Sequence, residues 1–128
     1  MPRQAIHSDS APKAIGPYSQ GVRMGGALYL SGQIPIDPAT GAVVAGGAAA
    51  QARQVFQNLK AVLAAGGATF ADVARVGIFM TDLGNFGAVN DVMKEYFSEP
   101  YPARATIGVA ALPKNVEVEI EVIAIPSH

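Results

Sequence analysis

The chain has no cysteine, and only two of its 128 residues are histidine, His7 and His128. The first absence removes disulfides, thiolate metal sites and cysteine nucleophiles, and says little about compartment. The second argues against a histidine-rich metal site or a serine–histidine–aspartate triad. Charge is scarce too: 15% of residues are charged and the net charge is −1. That balance gives no footprint for nucleic acid or for an anionic membrane surface. No stretch approaches the ~20 apolar residues of a membrane span. The opening MPRQAIHSDSAPK has no apolar run and does not read as a secretory signal. A cytoplasmic protein with no membrane and no nucleic-acid partner is therefore expected.

What the chain does have is apolar content. Half of its residues are hydrophobic. This suits one domain over 1–128 with a real core, and leaves apolar surface for contact between copies. Glycine pairs occur at Gly25-Gly26, Gly46-Gly47 and Gly66-Gly67. They lack the spacing and strand–helix context of a phosphate-binding loop, so no nucleotide cofactor is read.

The order of elements follows from hydrophobic period and turn chemistry. Residues 3–7 suit a short edge strand. Residues 19–24 and 27–31 flank Gly25-Gly26 and read as a hairpin. Pro35 and Pro38 forbid a central strand, and Asp37–Gly41 is a turn. Residues 42–44 suit a further short strand. From about Gly47 to Ala65, Ala52, Val55, Phe56, Leu59, Val62 and Leu63 form a helical stripe, with Gln51, Gln54, Asn58 and Lys60 on the other side. Gly66-Gly67 stops that helix. Thr69 with Asp72 resembles a capping box. Residues 73–80 read as a strand in which Gly77 marks a bulge or a close approach. Asn85 is a plausible N-cap for a second helix, about 86–97, whose apolar arc holds Phe86, Val89, Met93, Tyr96 and Phe97. Asn90 falls inside that arc, where a buried amide needs a partner or faces a pocket. Strands, helix, strand, helix and two strands imply an α+β fold, a single sheet with both long helices on one face.

The last stretch, Tyr101–Ile125, reads as a β-hairpin closed by the loop ALPKN. On one strand Arg104 and Thr106 share a face; on the other Glu117, Glu119 and Glu121 share a face with Ile123. A symmetric loop sets Arg104 opposite Glu121 and Thr106 opposite Glu119, and a two-residue slip sets Arg104 opposite Glu119. Such a face is either a solvated ion pair of little consequence or a site. As a site, the arginine would hold a small carboxylic acid bidentately. A glutamate against an apolar wall would share a proton during addition of water. Ser31-Gly32-Gln33 at a strand end could aim backbone groups at a ligand, although such a dipeptide is more often a turn. Tyr18, after Pro17, could cover a pocket, although a core or interface tyrosine is the more ordinary reading.

Taken together, Gly16-Pro17-Tyr18-Ser19-Gln20, Leu30-Ser31-Gly32-Gln33, Asp37-Pro38, Thr40-Gly41, Asn58-Leu59, Thr81-Asp82, Asn90, Pro102-Ala103-Arg104, Leu112-Pro113 and Val118-Glu119-Ile120-Glu121 resemble the Rid family along the whole chain. This is the reactive intermediate deaminase or YjgF family, and the likeness is greatest to its RidA subfamily of 2-iminobutanoate/2-iminopropanoate deaminases. The resemblance implies a single mixed sheet and a fold similar to chorismate mutase of the Bacillus type. It implies a homotrimeric barrel with active sites between subunits. It also implies hydrolysis of reactive imines and enamines to 2-oxo acids and ammonia, in metabolite damage control, with no metal or organic cofactor. By position, Arg104 matches the arginine that clamps the substrate carboxylate, and Glu119 the glutamate that activates water. Tyr18, Ser31, Gly32 and Asn90 match pocket-lining positions. Many relatives carry cysteine where this chain has Thr106, which keeps a small polar group without thiol chemistry. The alternatives are a non-catalytic trimer binding a 2-oxo acid or a protein, and an endoribonuclease, against which the net charge argues.

Overall fold

The computed structural model describes residues 2–127, so His128 lies outside the described residues. The strands are β1 (Gln4–Ile6), β2 (Gly21–Met24), β3 (Ala27–Gln33), β4 (Val73–Met80), β5 (Ala103–Gly108) and β6 (Val118–Ala124). The long helices are α1 (Ala48–Ala65) and α2 (Phe86–Tyr96). Each forms where its period predicts. The expected strand at 42–44 is reduced to one bridge between Ile36 and Val43, since the flanking prolines remove ladder donors.

The six strands make one mixed sheet in the order β1-β2-β3-β6-β4-β5. Here the expected Tyr101–Ile125 hairpin is overturned. β5 pairs with β4 in parallel, and β6 pairs with the other edge of β4 antiparallel. The β4–α2–β5 run is a crossover unit, the standard way to join parallel strands. It places β4 between the two strands that the short ALPKN loop seemed to join. That connection turns through left-handed backbone at Lys114 and Asn115 (φ 55° and 56°).

Both helices cover one face of the sheet. Leu28, Leu30, Val76, Ile78, Met80, Val118, Ile120 and Val122 point into the core, against Val55, Phe56, Leu59, Val62 and Leu63 of α1. Phe56 anchors an aromatic cluster with Phe70, Tyr96 and Phe97, ring centroids 5.0–6.1 Å apart. Burying a side chain of this size contributes about 1.5–3 kcal/mol. Arg23 Nη2 donates to Gly66 O at the C-terminal end of α1 (2.5 Å), where a cation also complements the helix dipole. Gly67 at φ 80° then turns the chain.

Some local expectations need correction. Gln51 and Asn58 do not lie on a solvent side of α1; both are buried. Asn58 Nδ2 donates to the carbonyls of Ile34 and Ile36 (3.3 and 2.9 Å), and Gln51 Oε1 accepts from Glu117 N (2.7 Å). Their amides replace the sheet partners that the irregular segments lack. Asn85 makes no capping bond; its Nδ2 donates to Glu117 Oε1 at 3.3 Å, and Asp82 caps the preceding turn. The bulge in β4 falls between Val73 and Arg75, while Gly77 is a close approach, its absent β-carbon 3.2 Å from Glu121 Cγ. The Thr69–Asp72 capping box forms as expected.

Candidate active site

Arg104 sits on the edge strand β5, opposite Val76, which is itself opposite Val122. Both valines are buried under the helices, so Arg104 leaves the sheet on the helix side and runs along α2. Its Nη1 donates to Asn90 Oδ1 at 2.5 Å and lies 3.6 Å from Met93 Sδ. The guanidinium stands over the Phe86 ring, 5.1 Å from its centroid. Phe86, Asn90 and Lys94 recur at four-residue spacing, one side of α2. A cavity of about 360 Å³ opens there, lined by Asn90, Met93, Lys94, Tyr101, Pro102 and Arg104. Asn90 therefore meets both sequence readings: its amide has a partner and it faces a cavity. Among the described residues the ion pairs are His7–Asp9 and Arg53–Glu95, so Arg104 is held by an amide, a thioether and a ring, with no carboxylate on it. Thr106 follows on the same face, its buried hydroxyl without a hydrogen-bond partner.

Glu119 belongs to the other face. It lies opposite Phe79, which lies opposite Ile107, and it alternates with the buried Val118 and Ile120. A bulge in β3 is built against it. Leu30 pairs with Val122 and Gln33 with Ile120, so β3 carries one extra residue around Ser31-Gly32. A β-carbon on Gly32 would collide with Glu119 Oε2 and come within 3.0 Å of its Cδ. Glycine thus leaves the space in which the Glu119 carboxylate stands. Ser31 Oγ donates to Ser19 O at 2.6 Å, and Ser31 N to Gln20 O at 2.9 Å. These bonds tie the loop carrying Tyr18 to the bulge. Tyr18 is half exposed, and its hydroxyl accepts from Ile15 N at 3.3 Å. Burial first, and the neighbouring Glu121 carboxylate second, push the Glu119 carboxyl above its ordinary range.

The seven expected residues thus fall into two groups. Arg104, Asn90 and Thr106 sit on the helix side of the β5 edge; Ser31, Gly32 and Glu119 sit at the β3–β6 bulge, and Tyr18 stands on the loop that Ser19 ties to that bulge. The registers expected between Arg104 and Glu119 or Glu121 do not occur, because β4 intervenes and the side chains diverge. Phe86, Met93, Lys94 and Tyr101 were not singled out as site residues from the sequence. The four-residue spacing around Asn90 was the available signal. Among the described residues no group of three or more histidine, cysteine, aspartate or glutamate side chains could hold a metal ion. None of the described helices is long and apolar enough to cross a membrane.

A family model described as Endoribonuclease L-PSP matches residues 8–126. Protein DfrA of Myxococcus xanthus is 58% identical to this chain over 127 residues, 98% of this chain and 97% of that one. A 2-iminobutanoate/2-iminopropanoate deaminase of Dermatophagoides farinae is 50% identical over 124 residues, 97% of each. The crystal structure of RidA from the Antarctic bacterium Psychrobacter sp. PAMC 21119 superposes with a TM-score of 0.93 at 48% identity, covering 97% of this chain and 100% of that one.

Proposed function

Because the chain belongs to the Endoribonuclease L-PSP family, the YjgF/Rid family, we propose that it hydrolyses reactive 2-imino and enamine acids to 2-oxo acids and ammonia. The observation that carries this reading is Arg104. Its guanidinium is oriented by Asn90 and Phe86 and carries no carboxylate of its own chain among the described residues, so its charge is available to an incoming carboxylate. The cavity beside it suits a small acid.

In this reading Arg104 binds the carboxylate of a 2-imino acid such as 2-iminobutanoate and orients the adjacent C=N carbon. Glu119 as carboxylate takes a proton from the attacking water and passes it to the imine nitrogen; burial, which raises its pKa, makes it the stronger base for that transfer. Water oxygen bonds to carbon, and the C=N π pair moves to nitrogen. The carbinolamine hydroxyl then gives its proton to nitrogen through the same carboxylate, the C–N bond breaks with its pair leaving on nitrogen, and ammonia departs from the 2-oxo acid. The step is proton transfer and positioning, with no side-chain nucleophile.

The two groups of residues meet only if a second copy supplies one of them. We propose a homotrimer whose clefts join the Arg104 edge of one copy to the Glu119 face of the next. The half-exposed Tyr29 and Ile107 on the open face support such a contact. The ribonuclease in the family description is not carried to this chain, whose net charge is −1.

The experiment is to generate 2-aminocrotonate in situ and follow its disappearance. Purified protein is expected to accelerate the decay, and Arg104→Ala to abolish the acceleration. Tight binding of 2-oxobutanoate without turnover would instead indicate a binding protein.

A further inference from the structure

Gln20, outside the two groups, is a buried side chain with every polar atom bonded. It is 2% exposed at the entrance to β2. Its Oε1 accepts from Ser8 N at 2.7 Å. Its Nε2 donates to Pro12 O at 2.7 Å and Ser8 O at 3.1 Å, with Ala11 O at 3.5 Å. One amide thus holds the strap 8–12 at both ends. Its backbone carbonyl accepts from Ser31 N, at the bulge beside Glu119.

Between the strap and the bulge runs the loop 13–19. Its internal bonds are local: Tyr18 N donates to Gly16 O at 2.9 Å, and Ile15 N to Tyr18 OH at 3.3 Å. Among the described residues no hydrogen bond joins residues 13–18 to the sheet. Ile15 is 85% exposed and Tyr18 53%. The loop therefore enters through the strap that the Gln20 amide holds and leaves through the Ser31–Ser19 bond, and these side-chain hydrogen bonds tie its two ends to the sheet.

We infer that Gln20 is a positioning residue for the candidate active site: its buried amide clamps the 8–12 strap and so holds the Tyr18 loop beside Glu119. A residue that recognises substrate from a loop loses effect when the loop samples other positions. Gln20→Met keeps the length and volume of the side chain but has no donor for Pro12 O and no acceptor for Ser8 N. The inference rests on the deaminase reading for its kinetic arm, and on the structure alone for its conformational arm.

The test compares the full-length wild type, Gln20→Met, Tyr18→Ala and the double variant. In the conformational arm, trypsin cleavage after Lys13 is expected to accelerate in Gln20→Met under conditions where circular dichroism shows both proteins folded. Unchanged cleavage overturns the inference. In the kinetic arm, Gln20→Met and Tyr18→Ala are each expected to lower kcat/KM for iminobutanoate about tenfold. The double variant is expected to match Tyr18→Ala within about a factor of two, as coupled residues do. Independent, multiplying losses would mean that Gln20 does not act through Tyr18, and would overturn the inference. An inactive wild type would sink the deaminase reading instead, and the proteolysis result would then decide the clamp.

Discussion

Arg104 and Glu119 leave one sheet from opposite faces, Arg104 toward α2 from the edge strand β5 and Glu119 onto the open face from β6. The strand β4 lies between them, and their partners on it, Val76 and Phe79, are three residues apart, so the backbones are separated by two strand spacings across the sheet and about 10 Å along it. Neither neutralises the other within a chain.

If catalysis needs both, two inactive variants should complement each other. Arg104→Ala and Glu119→Gln, each expected to be inactive, are mixed by co-expression or by joint refolding. In a trimer with clefts between copies, random assembly restores roughly a quarter of the wild-type sites. The imine assay on the mixture reads this directly; no recovered activity would place the site within one chain or elsewhere.

The guanidinium's geometry should matter as well as its charge. Arg104→Lys keeps the charge but loses the planar fork that matches a carboxylate. A lost charge-assisted hydrogen bond is worth about 1.5–3 kcal/mol, a rate loss of roughly tenfold to a hundredfold in kcat/KM. Arg104→Ala should lose more. Thermal unfolding of both should stay near wild type, since Arg104 is solvent-exposed.

Gly32→Ala tests the bulge. The added β-carbon would collide with Glu119 Oε2, so the carboxylate must swing away. Deaminase activity is expected to fall at least about tenfold, the scale of losing one positioned acid–base group. Gly32→Ala at full activity would show that Glu119's observed position is not the working one.

The pH dependence of stability should identify Glu119. Burial raises its pKa, with Glu121 adding to the shift, so the folded chain holds a proton that the unfolded chain releases. Wild-type stability from this group is present below the ordinary carboxylate range and is lost as pH rises through the raised folded value. Glu119→Gln removes that loss. Its Tm should exceed wild type at pH 7, and the difference should shrink toward pH 4. A difference that grows on acidification would reverse the assignment.

Thr106 separates packing from recognition. Its hydroxyl is buried and unpartnered, so Thr106→Val should leave stability unchanged or raise it, by at most about 1–3 kcal/mol in chemical unfolding. If the hydroxyl serves the substrate, KM for iminobutanoate should rise in the same variant. An unchanged KM would reduce Thr106 to a packing residue.

Asn90 was legible as a decision point because an amide within an apolar arc must find a partner, and Arg104 proved to be that partner. Gly32 was legible only as half of a Ser-Gly dipeptide. Its reason, the Glu119 carboxylate against it, belongs to a neighbouring strand far along the chain. Gln51 and Asn58 were misplaced because a helical period gives direction, not what fills that direction. Irregular segments with unpaired carbonyls drew both amides inward.

The sequence by itself determined the elements: two amphipathic helices, the strands between them, the Gly25-Gly26 hairpin, and the alternation that put Glu119 on the face opposite Ile120. Those depend on neighbours within a few residues, where period and turn chemistry act. Only the tertiary structure decided that β5 joins β4 in parallel through α2, and so that Arg104 and Glu119 diverge. A strand carries the same alternation whichever edge it meets. Which edge it meets depends on the α2 crossover and on the burial of the whole sheet, and no local pattern encodes that choice.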